Sequence, residues 1–126
     1  MEKTILFIED EAALQKAVGE ILKQEGFNVL SALNGIDGLK LAQEKHPDLI
    51  LLDLILPKKD GFEVLRELKA AEETKDIPVI ILTNLETAQD IGKALELGAT
   101  TYLVKANYNL EDVIKKVRET LVKEAQ

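Results

Sequence analysis

The chain has 126 residues, 46% hydrophobic and 31% charged, which suits one globular domain able to bury about two-thirds of its unfolded surface and excludes the disordered and membrane-embedded classes. Its net charge of −7 argues against direct nucleic-acid contact, which draws on clustered Lys and Arg, and favours divalent cations or basic partner surfaces. The absence of cysteine excludes disulfides and thiolate metal sites and fits a reducing cytoplasm.

Thr4 to Ile8 reads as a short buried strand, closed by the acidic run Glu9-Asp10-Glu11. It is too brief for a signal-peptide core, and no stretch approaches the ~20 apolar residues that span a bilayer. From Leu14, the residues Leu14, Ala17, Val18, Ile21 and Leu22 recur at the spacing of a buried helix face, and Gly26 sits just past its end. Phe27 to Leu30 reads as a second strand. Asn34-Gly35 opens a helix to Lys45 with Ile36, Leu39 and Ala42 inward, stopped by Pro47.

Between Pro47 and Gly61, four apolar residues run into a lone carboxylate, Asp53, and then into a loop rich in turn residues. A run that short reads as a fully buried central strand. Asp53 then stands where the strand leaves the core, the edge at which open parallel sheets place ligands. A plainer reading stays open, in which Asp53 only ends the strand and caps the loop. Asp60-Gly61 starts a third helix with Val64, Leu65 and Leu68 inward, and Pro78 to Leu82 forms a fourth strand that delivers Thr83. Thr87 and Asp90 have capping-box spacing ahead of a helix carrying Ile91, Ala94 and Leu95 to Gly98. Thr100 to Val104 is a fifth strand ending at Lys105. Asn109 and Asp112 repeat the cap signal before a last helix with Leu110, Val113, Ile114, Val117 and Leu121 inward.

Strand and helix alternate five times, which predicts a doubly wound α/β fold: five parallel strands, right-handed crossovers and helices on both faces. No repeat, linker or appended segment is evident, so residues 1–126 are expected to form a single domain. Glu9 and Asp10 leave the first strand, Asp53 the third, Thr83 the fourth and Lys105 the fifth. All converge on one edge. Three carboxylates a few ångströms apart repel one another unless a cation neutralises them, and Mg²⁺ accepts such hard oxygen ligands while leaving room for a phosphate. A carboxylate beside Mg²⁺, an amine and a hydroxyl also suits phosphoryl transfer, which needs positioning and charge neutralisation above all. In this reading Asp53 is the nucleophile, Asp10 a direct metal ligand and Glu9 a water-mediated one, while Thr83 and Lys105 hold the phosphoryl oxygens.

With Glu9-Asp10, Asp53 through Asp60-Gly61, Thr83 after Val79-Ile80-Ile81-Leu82, Gly98-Ala99 and Tyr102-Leu103-Val104-Lys105 in order, the chain resembles the receiver domain of bacterial two-component response regulators over essentially its whole length. The resemblance implies the flavodoxin-like strand order 2-1-3-4-5, for which a member of this family is a standard example. It implies phosphorylation of Asp53 by a histidine kinase, a phosphotransfer protein or a small phosphodonor, with Mg²⁺ or Mn²⁺ held by Glu9, Asp10, Asp53 and the backbone carbonyl of Ile55. It further implies that Thr83 moves onto the phosphoryl group and that Tyr102 turns inward, reshaping the face of helix 4, strand 5 and helix 5 for a downstream protein. A plainer reading of Tyr102 is an edge-strand aromatic. A cytoplasmic monomer or weak homodimer is expected, touching neither membrane nor nucleic acid.

Departures from the family pattern carry their own expectations. Glu9 replaces the commoner Asp, which changes metal affinity without abolishing binding. Ala106 follows Lys105 where proline in a cis bond is usual; without proline, cis costs ~2.5–4 kcal/mol, so a trans bond and a rearranged loop are expected. Asn84 replaces a small residue, and Ile55 and Leu85 are apolar beside the phosphoryl site, unable to orient an attacking water. A long-lived aspartyl phosphate is expected.

His46 and Lys58-Lys59 read as a helix-end residue and a solvated loop tip. Gly35 and Gly38 lack phosphate-loop spacing. A receiver-like interaction module that no longer uses phosphorylation is the competing function. An aspartyl phosphatase would need a second Asp where Ile55 stands, and a flavin carrier would meet repulsion from Glu9-Asp10-Glu11.

Overall fold

The computed structural model describes residues 2–125. Five strands alternate with five helices: β1 (Thr4–Ile8), α1 (Ala12–Gln24), β2 (Asn28–Ala32), α2 (Gly35–Lys45), β3 (Leu49–Leu52), α3 (Gly61–Ala70), β4 (Val79–Thr83), α4 (Ala88–Glu96), β5 (Thr101–Val104) and α5 (Leu110–Glu124). All pairings are parallel, in the order β2-β1-β3-β4-β5. The expected flavodoxin-like architecture is therefore present.

The three central strands are buried on both faces, which is why their sequences are continuous apolar runs rather than alternating ones. Side chains still divide by parity. Leu6, Ile8, Ile50, Leu52 and Ile81 pack with Leu39, Val64, Leu65 and Leu68 of α2 and α3, while Ile5, Phe7, Leu49, Leu51, Ile80 and Leu82 pack with Val18 and Leu22 of α1 and Val113 and Val117 of α5. Each fully buried side chain of this size contributes roughly 1.5–3 kcal/mol. That framework fixes the level at which each strand emerges.

Caps set the helix starts. Asn34, Asp60, Thr87 and Asn109 each accept a hydrogen bond from the backbone N–H three residues on. Asn109 and Asp112 form the full reciprocal box expected of them. At Thr87 the reciprocity is side chain to side chain, its hydroxyl donating to Asp90 Oδ2 at 2.8 Å.

Several boundary and facing expectations need correction, beginning with the fourth and fifth strands, which run Val79–Thr83 and Thr101–Val104 rather than Pro78 to Leu82 and Thr100 to Val104. The second strand runs Asn28–Ala32 rather than Phe27 to Leu30, because as an edge strand it tolerates the exposed Ser31 within it. In α1 the fully buried stripe is Gln15, Val18, Gly19 and Leu22, with Leu14, Ala17 and Ile21 at its margin. Ile36 is 49% exposed instead of inward, and so is Leu95 at 47%. Their helices bury narrower stripes, centred on Gly38, Leu39 and Ala42 in α2 and on Ala94 alone in α4.

Two glycines bring separate segments together. A Cβ on Gly35 would lie 1.9 Å from the Lys59 carbonyl oxygen, and one on Gly61 would lie 2.3 Å from the Asp53 carbonyl oxygen. The loop after β3 is consequently pressed against the start of α2, with the Gly35 N–H donating to Pro57 O at 3.3 Å and the Gly61 N–H closing onto Leu54 O at 2.9 Å. Gly92 in α4 has open space around its Cβ position. Gly35→Ala should lower stability by about 1–3 kcal/mol through overpacking, whereas Gly92→Ala should raise it by roughly 0.5–1 kcal/mol. Urea midpoints of the two variants against the parent protein check both signs.

Candidate functional site

The carboxyl ends of β1, β3, β4 and β5 carry the polar residues singled out above. Register places Ile8 beside Leu52 and Leu52 beside Ile81, so Glu9 and Asp53 emerge as neighbours. The Asp53 N–H continues the ladder to Ile8 O at 3.0 Å. Carboxylate oxygens of Glu9, Asp10 and Asp53 all lie within 4.8 Å of one another. The sheet thus gathers three acids from two strands.

Lys105, one residue past β5, reaches back across this cluster. Its Nζ lies 2.9 Å from Asp53 Oδ2 and 2.8 Å from Glu9 Oε1. Glu9 is 0% exposed and Asp53 only 3%. Burial pushes the Glu9 carboxyl above the usual range; Lys105 and the Glu11 N–H, which donates to Oε2 at 3.0 Å, oppose that push, and the Asp53 charge adds to it. Burial acts to lower the Lys105 pKa, but bonding to Glu9 and Asp53 and their charges hold it above the ordinary lysine value. The remaining Asp53 oxygen, Oδ1, accepts the Ile55 N–H at 3.2 Å.

One ammonium does not neutralise three carboxylates, and a buried charge without compensation is costly. The donor set is hard oxygen from acids spaced closely enough to share one ion, which fits Mg²⁺ or Mn²⁺. Asp10 is exposed and Glu9 is buried, so the pocket is open on the side of Asp10.

Thr83 ends β4 fully buried, and its Oγ1 accepts the Leu85 N–H at a long 3.5 Å. Tyr102 is half-buried on β5, and its hydroxyl donates to Leu85 O at 2.8 Å. Leu85 therefore touches both residues, through its N–H and its carbonyl. The Lys105–Ala106 bond is trans, as expected, and the chain leaves β5 through a 3₁₀ turn, Lys105–Asn107. Ile55 is 53% exposed at the rim, Asn84 is exposed, and Leu85 is intermediate. His46 lies at the end of α2, away from this edge, in left-handed geometry (φ 47°).

Gln15 is a residue that sequence reasoning missed. Buried within α1, its Nε2 donates to Phe7 O at 2.8 Å, Ala32 O at 2.9 Å and Glu9 O at 3.4 Å. It ties together the exits of β1 and β2 just where Glu9 begins. The signal was a polar residue on the buried stripe of an amphipathic helix.

Residues 5–118 match the family model for the response regulator receiver domain. The DNA-binding dual master transcriptional regulator RpaA of Synechocystis is 43% identical over 117 residues, which cover 93% of this chain and 48% of that protein. The chain thus spans about half the length of such curated relatives. Among solved structures, a CheY-like response regulator receiver domain protein from Methanospirillum hungatei superposes with a TM-score of 0.93 at 26% identity, covering 99% of this chain and 98% of that one. The receiver domain of the sensor histidine kinase PA1611 from Pseudomonas aeruginosa, with magnesium coordinated in its active-site cleft, gives 0.86 at 27% identity, with 96% and 98% covered.

Burial raises the Tyr102 pKa above the ordinary value of about 10, with the charges of Asp90 and Asp53 acting in the same direction. A folded-state pKa above the unfolded one leaves stability intact below pH ~10 and removes it as pH rises through the folded value. Urea unfolding across alkaline pH should show this loss, reduced in Tyr102→Phe; an unchanged pH dependence in the variant would contradict the assignment. Gln15→Ala, which leaves buried carbonyls unpaired, should lower stability by about 1–3 kcal/mol.

With the fold, the gathered acids and these likenesses in agreement, the chain belongs to the response regulator receiver-domain family, whose members work in phosphorylation-based signalling.

Proposed function

We propose that Asp53 receives a phosphoryl group from a histidine kinase, a phosphotransfer protein or a small phosphodonor, and that the modified domain signals through the face formed by α4, β5 and α5. The observation that carries this reading is the Lys105 ammonium within 2.9 Å of Asp53 at the mouth of a three-carboxylate cluster. An Asp53 oxygen attacks phosphorus, a P–O bond forms, and the P–N bond of a phosphohistidine, or the P–O bond of an acyl phosphate, breaks in favour of the leaving group. Asp10, Asp53 and the Ile55 carbonyl would hold Mg²⁺ or Mn²⁺ directly and Glu9 through water. The ion would supply neutralisation of the phosphoryl oxygens. Magnesium in the cleft of the Pseudomonas receiver domain supports this assignment.

Lys105 would exchange its contact with Asp53 for one with a phosphoryl oxygen, since the amine is already at hydrogen-bonding distance. Thr83 would donate to another, giving up its long contact with the Leu85 N–H. Because Tyr102 is bonded to the same residue's carbonyl, a shift of Leu85 is felt at β5. The half-exposed Leu95 on α4 gives that face an apolar contact for the downstream protein.

The apolar Ile55 and Leu85 and the amide of Asn84 offer no base to an attacking water. We assign the aspartyl phosphate a long lifetime on that ground.

Intact-mass measurement after acetyl phosphate treatment, with and without Mg²⁺, tests the central step. A single Mg²⁺-dependent phosphoryl adduct, absent from Asp53→Asn, is expected; no adduct, or an adduct retained by the variant, contradicts the assignment and favours a phosphorylation-independent module. The purified adduct should persist over minutes to hours, and loss within seconds would overturn the long-lifetime reading.

A further inference from the structure

We propose that the free edge of β2 is a docking site for an extended acidic segment of a partner protein, added to the sheet as a sixth strand. Among the described residues, β2 pairs with β1 alone. The Asn28 N–H bonds to Lys3 O and the Glu9 N–H to Ala32 O, so the even-numbered residues of β2 face β1. Val29 and Ser31 therefore turn their N–H and C=O groups outward.

Sheet edges are normally protected by charge, proline, a bulge or a covering element. Asn28-Val29-Leu30-Ser31-Ala32 contains neither charge nor proline, and its register with β1 runs without interruption. Instead of a cover, grooves flank it. One of 430 Å³ lies toward α1, walled by Val29, Gly19 and Leu33; another of 510 Å³ lies toward α2, walled by Ala32, Leu33 and Leu41. Leu33, at the end of the strand, is 52% exposed between them. An added strand sends alternate side chains to opposite faces, so its apolar residues would enter these grooves in turn while its backbone bonds to Val29 and Ser31. This is recognition by strand addition.

Charge selects the occupant. Lys16, Lys23, Lys40 and Lys45 line the grooves around β2 against Glu20, Asp37 and Glu44, and Asp37 is engaged in the cap of α2. None of the four lysines takes part in an ion pair among the described residues. Lysines thus outnumber carboxylates by one around the β2 edge of a chain whose net charge is −7, which favours an acidic strand over a basic one and over a second copy of this acidic chain.

The test uses the ¹⁵N-labelled full chain and a short blocked peptide alternating valine and glutamate, with a valine–lysine peptide as control. The acidic peptide should shift the amides of Val29, Ser31 and Leu33 with a Kd of about 1 mM or tighter, and the control should not. Ser31→Pro removes an outward N–H that the sheet does not use, and Lys16→Glu combined with Lys40→Glu reverses the local charge. Each should weaken binding by about tenfold while the remaining amide spectrum stays folded. Asp53→Asn should leave binding unchanged, which separates this inference from the phosphorylation reading. Equal binding of the lysine peptide, shifts centred away from β2, indifference to both variants, or self-association through β2 in place of peptide binding would each overturn it.

Discussion

The site depends on one ammonium shared between two buried carboxylates. Lys105 stands between Glu9 and Asp53 at contact distances of 2.8 and 2.9 Å, and it arrives from the far side of the sheet, two strands away from β3. Removing either acid from water is costly without a counter-charge, and breaking such a pair by deleting one member leaves the other uncompensated. The fold must therefore deliver three strand ends to the same level. It does so through the parallel register of β1, β3, β4 and β5, which the apolar strand cores enforce.

Around that contact, backbone closures hold the loops that supply the acids. Gln15 clamps the exit of β1, and Gly61 and Gly35 let the loop after Asp53 fold against β3 and α2. The Ile55 N–H then orients the Asp53 carboxylate through Oδ1, leaving Oδ2 to the amine. On the other side of the site, Leu85 connects Thr83 to Tyr102 through its own N–H and carbonyl. A change at Thr83 is thereby within two hydrogen bonds of the β5 surface.

The strand exits were legible in the sequence because each apolar run is cut by a charged or hydroxyl residue, as at Ile8-Glu9, Leu52-Asp53, Leu82-Thr83 and Val104-Lys105. The side-chain positions of Ile36 and Leu95 were not. Periodicity gives the width of a helical stripe, but the neighbours packed on it decide its centre, and α2 and α4 bury fewer positions than their apolar residues allow. Gly35 was hidden for another reason, since its role rests on contact with the distant Lys59, which no local pattern encodes; for Gln15 the helical pattern could mark a polar residue on the buried stripe but not its partners Phe7, Glu9 and Ala32. The trans bond at Lys105–Ala106 could be read from the missing proline alone.

Calorimetric titration of Mg²⁺ into the protein, its Asp53→Asn variant and its Lys105→Met variant addresses the central claim most directly. If the acids form one cation site that the ammonium already partly compensates, Mg²⁺ binds the parent protein, weakens markedly without the Asp53 charge, and tightens when the competing ammonium is gone. Failure of Mg²⁺ to bind, or affinities that ignore both substitutions, would contradict the account.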